Sequence, residues 1–346
     1  MSAKTETILI TGSAGFIGSY IVQAALDRGF NVIGIDNFSK YGYEAANHIQ
    51  HPNYLLIEGD VKDQSLLLKY MTQSDHVIAG AAMIGGISYF HKYAYDLLAE
   101  NERIIAATCD AAIQIFPEGR LKKVTYLSSS MVYESSDVWP SKESDLLIVP
   151  PPISSYGFQK LAVEYFARAA FEQYGLPFTI LRPFNCVGIG EKRALSEELM
   201  HSDEGSISLT MSHVVPDLIM KILSGQNPLE ILGDGSQIRC YTYGKDLANG
   251  IIASLNHHGA LNEDFNISTS ISHSVLEVAE LIWKRIKPEQ PFSYMSMPAF
   301  KYDVQKRIPN VEKARNLLDV SCDTPIEVVL DELIPWIKMA IDKNWI

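Results

Sequence analysis

A glycine-rich turn between a short strand and a helix constrains the fold of this chain more than any other feature. Residues 7–36 read TILITGSAGFIGSYIVQAALDRGFNVIGID, where a β-branched run leads into Gly12, Gly15 and Gly18. Apolar residues at helical spacing follow, and a second β-branched run ends at Asp36. This order predicts a βαβ unit at the start of a doubly wound parallel sheet, an α/β fold. A smaller C-terminal α/β lobe is expected beside it, because 346 residues suffice for about two domains.

The spacing of the glycines indicates a dinucleotide site. The first allows a tight turn, the second lets a pyrophosphate approach the backbone, and the third lets the helix pack closely on the strand. The helix N-terminus then offers N–H groups and a partial positive charge to the phosphates. Asp36 stands where a carboxylate accepts hydrogen bonds from ribose hydroxyls and repels a 2'-phosphate, so NAD is favoured over NADP. Neither Asn37 nor Phe38 supplies an arginine for such a phosphate.

Two further strands lead into residues that would extend this cofactor site. Residues 54–57 predict a strand before Asp60, and residues 76–79 predict another before Ala81. Asp60 could instead be the N-cap of a following helix. The cofactor contacts predicted at this end of the sheet are Gly12, Gly15, Phe16, Ile17, Gly18, Asp36, Asn37, Asp60, Val61, Ala81 and Ala82.

Composition and charge exclude several other classes of protein. A formal net charge of −12 argues against a nucleic-acid surface, so an anionic ligand must meet cations placed locally. Four widely spaced cysteines fit neither a zinc site nor a secreted disulfide framework, which predicts reduced thiols and no metal. The longest apolar run, residues 77–90, is shorter than a membrane span, and the N-terminus has no signal-peptide pattern. We therefore expect a cytoplasmic protein that binds neither nucleic acid nor membranes.

A serine cluster ends the predicted fifth strand. Residues 121–128 read LKKVTYLS and predict a strand that runs into Ser128, Ser129 and Ser130. Ligands sit at the carboxyl ends of the strands in an open parallel sheet. These hydroxyls are therefore expected in a ligand site.

A helix downstream carries a tyrosine and a lysine one turn apart. Residues 154–175, SSYGFQKLAVEYFARAAFEQYG, combine a serine cap, apolar residues at helical spacing and a terminal glycine. Tyr156 and Lys160 share one face of this helix. A nearby ammonium and an oxidised nicotinamide ring favour the phenolate, so Tyr156 could take a proton from a sugar hydroxyl. The hydride would pass to the nicotinamide while a serine hydroxyl holds the same oxygen.

Several motifs along the chain resemble those of the extended short-chain dehydrogenase/reductase family, which contains the nucleotide-sugar epimerases and dehydratases. They are TGSAGFIGS, GDV, LSSSMVYES, YGFQK, LRPFN and GDGSQIR, and the resemblance covers nearly all of the chain. It implies Ser129 as the catalytic hydroxyl, Tyr156 as the base and Lys160 as its partner, with Tyr156 and Lys160 also contacting NAD. It further implies a cofactor contact at Asn101.

The same resemblance implies a substrate site for a nucleotide-diphosphate sugar, with a UDP-sugar favoured. Ser130 and Asn185 would contact the substrate, and residues 228–231 resemble the strand along which the nucleotide base lies. Arg239 and Arg307 match arginines that bind the diphosphate. A fork of fixed donors suits phosphate oxygens, and such local cations would compensate for the negative net charge.

The resemblance also divides the chain into two lobes. Residues 1–185 would form the NAD-binding lobe, to which residues 240–268 return. Residues 186–239 and 269–346 would form the nucleotide-sugar lobe. The polar, acid-rich residues 191–205 are predicted to form a flap over the pocket.

Two helices are implied to form a homodimer contact. They lie near residues 101–115 and 155–174, and their pairing would give a four-helix interface. Such an interface requires an exposed nonpolar face on both helices.

Met131 decides between the reactions of this family. Relatives that remove water from the sugar resemble STDEVYG here, with an acid and a base at the positions of Ser130 and Met131. Relatives that invert the carbons next to a transient ketone have a cysteine at the position of Met131. A thioether cannot transfer a proton, so 4-epimerisation by transient oxidation at C4 is favoured.

Other reactions stay open. The loop AAMIGGISYF, residues 81–90, resembles that of the GDP-sugar 3,5-epimerases and of GDP-fucose synthase. Decarboxylation of a nucleotide-linked uronic acid needs only oxidation at C4, although the glutamate usual in those relatives is absent, and simple oxidoreduction is open too. Outside the enzymes, a non-catalytic NAD sensor is the alternative, which the presence of both Tyr156 and Lys160 disfavours.

Overall fold

The computed structural model describes residues 5–44, 46–84, 93–192, 213–299 and 304–346. The loop at residues 81–90 is therefore described only to Ile84. The predicted flap at residues 191–205 lies outside the described residues after Lys192.

One large parallel sheet dominates the described part of the chain. The strands are β1 (Thr7–Thr11), β2 (Asn31–Asp36), β3 (Tyr54–Glu58), β4 (His76–Ala79), β5 (Lys123–Leu127), β6 (Phe178–Pro183), β7 (Cys186–Val187), β8 (Leu229–Leu232), β9 (Ile238–Arg239), β10 (Thr242–Tyr243), β11 (Glu263–Ile267), β12 (His273–Ser274), β13 (Tyr294–Met297) and β14 (Lys306–Arg307). The large sheet has the order β11, β6, β5, β4, β1, β2, β3, and every pair in it is parallel. The strand order reverses between β1 and β4, which opens a crevice at their carboxyl ends. The predicted doubly wound α/β fold is confirmed.

Helices cover both faces of this sheet. The described helices are α1 (Phe16–Asp27), α2 (Gln64–Met71), α3 (Ala94–Ile115), α4 (Ser155–Tyr174), α5 (Val214–Leu223), α6 (Gly244–Leu255), α7 (Val275–Ile286), α8 (Glu312–Leu318) and α9 (Ile326–Asp342). Successive side chains of a strand point to opposite faces. Ile8 and Ile10 accordingly pack in the core under α1 and α6, whereas Leu9 packs in the core under α2, α3 and α4. Among these helices, none combines the length and the hydropathy that crossing a bilayer requires.

Local signals set the ends of α4, the helix that carries Tyr156 and Lys160. The Oγ of Ser154 accepts a hydrogen bond from the backbone N–H of Gly157 at 3.0 Å, which caps the helix N-terminus. Gly175 ends the helix with a φ of +69°, a left-handed conformation that glycine adopts without strain. The helix therefore has the bounds that its sequence predicts.

The C-terminal part of the chain builds a second core. Helices α5, α7 and α9 pack around β8 through side chains such as Ile219, Trp283 and Leu330. In a small sheet beside them, β9 lies between β12 and β14. Between these segments the chain returns to the large sheet, where α6 packs on α1 and β11 lies beside β6. The residue boundaries of the two lobes stay a prediction.

Candidate active site

A long cleft follows the carboxyl ends of the central strands and continues between them and the C-terminal segments. Its volume is about 1170 Å³, above the range of about 300–1000 Å³ typical of a site for one small ligand. The predicted site residues that line it are Gly12, Gly15, Phe16, Ile17, Gly18, Asp36, Asn37, Asp60, Val61, Ala81, Ala82, Ser129, Ser130, Tyr156, Lys160, Asn185, Arg239 and Arg307. The fold thus brings together nearly all the residues singled out in the sequence, whose individual roles stay predictions.

The glycine turn at one end of the cleft has no room for a side chain at Gly12 or at Gly18. Gly12 has a φ of +72°, and a Cβ added there would lie 2.9 Å from the Cα of Ala81. A Cβ on Gly18 would overlap the carbonyl oxygen of Gly12. The N-cap of α1 is Gly15, and no side chain of the described residues caps it. The backbone N–H groups at this helix end are therefore open to an anion, and the cradle fits the pyrophosphate of NAD.

Asp36 lies at the end of β2 against the same turn. Its Oδ2 accepts a hydrogen bond from the N–H of Ala14 at 2.9 Å, and its Oδ1 accepts one from the N–H of Phe38 at 2.8 Å. Burial raises the pKa of Asp36, and these hydrogen bonds oppose that rise. The carboxylate is thus held where it borders the cleft, as a ribose contact requires.

Asp60 borders the cleft but does not cap a helix. Its Oδ1 accepts a hydrogen bond from the N–H of Lys62 at 2.9 Å. The N-cap of α2 is Asp63, whose side chain accepts hydrogen bonds from the N–H groups of Ser65 and Leu66. The alternative of Asp60 as an N-cap is therefore wrong, because the helix begins three residues later than that alternative requires.

Asn101 lies behind the cleft rather than in its lining. This side chain is buried on α3, with Oδ1 2.7 Å from the N–H of Met83 and Nδ2 2.9 Å from the carbonyl oxygen of Met83. It therefore fixes the segment after β4, which lines the cleft with Ala81 and Ala82. A direct contact of Asn101 with the cofactor stays a prediction.

Ser129, Tyr156 and Lys160 meet at the end of β5. Ser129 caps a 3-10 turn, Ser130–Tyr133, and its Oγ accepts a hydrogen bond from the N–H of Met131 at 3.2 Å. The side chains of Ser129 and Tyr156 are hydrogen-bonded to each other. One turn along α4, the Nζ of Lys160 donates a hydrogen bond to the carbonyl oxygen of Leu127 at 3.0 Å. A hydroxyl, a phenol and an amine thus share one wall of the cleft.

The electrostatics of Tyr156 differ from the sequence expectation in one respect. Burial raises the pKa of Tyr156, while the hydrogen bond from Ser129 and the positive charges of Arg307 and Lys40 lower it. Burial also lowers the pKa of Lys160, to about 8. The cations that favour the phenolate in this structure are therefore Arg307 and Lys40, in addition to any effect of the predicted partner Lys160.

Two cleft residues near this wall were missed in the sequence. Lys40 follows β2 by a few residues, and loops after parallel strands line the crevice, so its position was a usable signal.

The second of these residues is Glu134, which follows the 3-10 turn. Its Oε2 accepts a hydrogen bond from the N–H of Ser154 at 2.9 Å. Met131 packs against Leu97 and Tyr156. A carboxylate therefore lies in the same cleft, three positions past the methionine.

At the other end of the cleft, two arginines stand on neighbouring strands. Arg239 on β9 and Arg307 on β14 are register partners in a parallel pair, so their Cα atoms lie side by side. The Nη1 of Arg307 lies 3.5 Å from the Oδ1 of Asn185. Asn185 in turn donates from Nδ2 to the carbonyl oxygen of Cys240 at 3.2 Å. Two guanidinium groups and an amide placed in this way suit a diphosphate.

A buried ion pair also lines this end of the cleft. The Nζ of Lys221 lies 2.8 Å from the Oδ2 of Asp217, one turn earlier on α5, and both side chains are more than nine-tenths buried. The i, i+4 spacing on a predicted helix was the available signal. Within the described ranges, no group of three or more His, Cys, Asp or Glu side chains could hold a metal ion, and all four cysteines are free thiols.

Comparisons with known proteins show which family the chain belongs to. The model of the NAD dependent epimerase/dehydratase family matches residues 8–268. A UDP-glucose 4-epimerase from Halalkalibacterium halodurans is 30% identical over 343 residues, which cover 96% of this chain and 95% of the relative. UDP-glucuronic acid decarboxylase 1 from Danio rerio is 27% identical over 346 residues, which cover 98% of this chain and 74% of the relative.

A solved structure extends the comparison to ligands. The UDP-glucuronic acid 4-epimerase from Bacillus cereus, in complex with UDP-glucuronic acid and NAD, has a TM-score of 0.79 and 25% identity and covers 96% of this chain and 99% of its own. The predicted family, fold and cofactor are confirmed. The chain belongs to the NAD-dependent epimerase/dehydratase family and is an NAD-dependent enzyme of the nucleotide-sugar epimerase type.

Proposed function

We propose that this protein is a 4-epimerase of a nucleotide-diphosphate sugar, with a UDP-sugar as the favoured substrate. One observation carries the proposal. The side chains of Ser129 and Tyr156 are hydrogen-bonded to each other, one helical turn from Lys160, and Ser130 and Met131 occupy the two positions that follow Ser129. The groups required for oxidation at C4 are present, and those two positions carry neither an acid nor a thiol.

The proposed roles of the side chains follow from their positions. Ser129 and Tyr156 hold the C4 hydroxyl between them, and Tyr156 takes its proton as the carbon is oxidised. When bound, NAD would supply the hydride acceptor for C4 and a hydride donor for either face of the resulting ketone. Tyr156 then gives the proton back, so the reaction consumes no second reactant. Arg307 and Lys40 favour the ionised form of Tyr156.

Substrate binding is assigned to the arginine end of the cleft. Arg239 and Arg307 would neutralise the diphosphate, with Asn185 beside them. The relatives from Halalkalibacterium halodurans and Bacillus cereus are epimerases of UDP-glucose and UDP-glucuronic acid, which supports a UDP-sugar here.

Decarboxylation of a UDP-linked uronic acid is the second candidate. The relative from Danio rerio is a UDP-glucuronic acid decarboxylase. The same oxidation at C4 would prepare a uronic acid to lose its carboxylate. The two reactions share their first step, so only the identity of the product distinguishes epimerisation from decarboxylation.

We also propose a homodimer in the cytoplasm. Helices α3 and α4 pack against each other, and α4 exposes Tyr165, at 70%, together with Phe158. An interface formed by these two helices would cover such rings. The four free thiols are typical of a reducing compartment.

Product analysis in deuterated buffer tests the proposal. The enzyme is incubated with UDP-, GDP- and dTDP-sugars, and proton NMR identifies the product and any incorporated deuterium. We expect a 4-epimer without deuterium on carbon, because the hydride returns to the carbon it left. Deuterium at C3 or C5, a 4-keto-6-deoxy sugar or a pentose would each replace this proposal with a different reaction.

A further inference from the structure

A fully buried arginine lies behind the wall that carries Ser129 and Tyr156. Arg182 on β6 is 0% exposed, and Glu164 on α4 is 1% exposed. They form a two-pronged pair, with Nε 2.8 Å from Oε1 and Nη2 2.7 Å from Oε2. The same Nη2 lies 2.6 Å from the Oδ2 of Asp264 on β11. One guanidinium therefore joins a helix to two strands of the large sheet.

This pair reaches the catalytic wall through Ser128. The Oγ of Ser128 donates a hydrogen bond to the Oε1 of Glu164 at 2.6 Å. Ser128 immediately precedes Ser129, and Glu164 lies one turn after Lys160 and two turns after Tyr156 on the same face of α4. The contact thus fixes the strand end that carries the hydroxyl relative to the helix that carries the phenol.

A second branch of the network reaches the segment that carries Arg307. The Nη1 of Arg182 donates to the phenol oxygen of Tyr133 at 2.7 Å, and that phenol donates to the Oδ1 of Asn266 at 3.1 Å. The Nδ2 of Asn266 donates to the carbonyl oxygen of Asn310 at 3.1 Å. Tyr133 ends the 3-10 turn that follows Ser129, so both ends of that turn are anchored.

Stability alone does not account for such a pair. Removing two charges from water is costly, and apolar residues of similar volume are often as stabilising as a buried ion pair. Two of the partners of Arg182, by contrast, belong to elements that form the catalytic wall: Glu164 lies on α4 with Tyr156 and Lys160, and Tyr133 ends the 3-10 turn that Ser129 caps. The chemistry of a hydride transfer is sensitive to such placement, since a shift of about 1 Å can cost about 100-fold in rate.

We propose that Arg182 and Glu164 are positioning residues that hold the hydroxyl of Ser129 in hydrogen-bond contact with the phenol of Tyr156. They act through Ser128 and Tyr133 and do not touch the substrate. The inference rests on the proposed function only for the catalytic roles of Ser129 and Tyr156.

Substitution of single contacts tests this inference. Ser128→Ala removes the 2.6 Å hydrogen bond, and Glu164→Gln removes the charge with little change in shape. Both variants should lower kcat by roughly 10- to 100-fold and change KM less than about 3-fold. Their pH–rate profiles should move to higher pH, because the hydrogen bond from Ser129 lowers the pKa of Tyr156.

Arg168→Met is the control. Arg168 on α4 also pairs with Asp264 but is half-exposed, so this variant should match the wild type.

A double substitution separates positioning from folding. Arg182→Met with Glu164→Met replaces the ion pair by an apolar one, which should leave the melting temperature close to that of the wild type. We expect this folded variant to bind NAD and to show the lowered kcat. A folded double variant with wild-type kcat, or single variants with an unmoved pH profile, would overturn the inference.

A readout without substrate keeps the inference apart from the proposed function. The phenolate of Tyr156 is titrated by ultraviolet difference spectra of the NAD-bound enzyme, with Tyr156→Phe as the blank. Ser128→Ala should shift this titration to higher pH, and an unshifted titration would contradict the positioning role. If the wild type converted no sugar nucleotide, the proposed function would fail while this titration still decided the role of Arg182 and Glu164.

Discussion

The two ends of the cleft are built by different means. The cofactor end consists largely of backbone, with the glycine turn and the short loops that follow β1 to β4. The proposed substrate end depends on side chains from distant parts of the chain, such as Asn185 and Arg307, which are 122 residues apart yet 3.5 Å from each other. A site made of local backbone is tied to the fold, whereas a site made of dispersed side chains can change its ligand without changing the fold.

The largest effect is expected where the two ends meet, at Tyr156. Tyr156→Phe removes the oxygen that would take the proton from the sugar and leaves the ring in its packing with Leu97 and Met131. Turnover should fall by roughly 100- to 10,000-fold, the usual contribution of a general base. The amount of NAD that copurifies, measured after denaturation, should not change. An unchanged rate would remove Tyr156 from the mechanism.

A substitution in the glycine turn at the cofactor end should abolish NAD binding. Gly12→Ala places a Cβ 2.9 Å from the Cα of Ala81, at a φ of +72°. We expect the free energy of unfolding to fall by about 2 kcal/mol or more and NAD to be lost. Calorimetry and NAD quantification measure both effects.

Gly29 offers a matched control for that substitution. Its φ is +79°, and a Cβ there would meet no atom within 4 Å. Gly29→Ala should therefore show only the conformational cost, about 1–2 kcal/mol, and retain NAD. If both variants kept NAD equally, the close approach of the turn to Ala81 would not be required for cofactor binding.

Substitutions at the arginine end should weaken substrate binding and leave NAD bound. Arg239→Lys and Arg307→Lys keep the charge but lose the fork of donors, so KM should rise roughly 10-fold with NAD retained. Arg307→Met should also move the pH–rate profile to higher pH, because its charge lowers the pKa of Tyr156. Arg239 is not among the groups that lower that pKa, and Arg239→Met should raise KM without such a shift.

The control for the arginines lies on a helix of the second core. Arg285 on α7 forms a surface ion pair with Asp331 at 2.8 Å. Arg285→Met should leave KM, kcat and bound NAD unchanged. A rise in KM for this variant would indicate a general effect of charge and not a local diphosphate site.

The fold at the glycine-turn end of the cleft could be predicted from the sequence, because its requirements are local. A tight turn needs Gly12, and a helix of the length of α4 needs a cap and an end, which Ser154 and Gly175 provide. These signals lie within a few residues of the feature that they determine. Asn101 departs from this pattern, since its contact with Met83 depends on how α3 packs against the loop after β4.

The substrate end and the electrostatics could be predicted only in part, because they depend on contacts across the sheet. The family motifs located Arg239 and Arg307, but not the buried pair of Asp217 and Lys221. The contribution of Lys40 to the pKa of Tyr156 requires a loop after β2 to approach a helix that follows β5. The position of Lys40 after β2 predicts that it lines the crevice, but it does not predict this approach to Tyr156.

The smallest effect is expected at Glu134, and it tests whether the strand-end motif is a sufficient basis for the proposed reaction. Glu134 borders the cleft, and its Oε2 accepts the N–H of Ser154 at 2.9 Å, a bond that the amide oxygen of Glu134→Gln can preserve. If the reaction needs no acid or base beyond Ser129 and Tyr156, kcat should change less than about 3-fold. The substitution then changes only the acceptor of the hydrogen bond from Ser154, and the bond itself is kept. Steady-state rates and deuterium incorporation measure this in one assay. A fall of roughly 100-fold or more would assign proton transfer to Glu134, and the absence of an acid at Met131 would then no longer argue against elimination or inversion at C3 and C5.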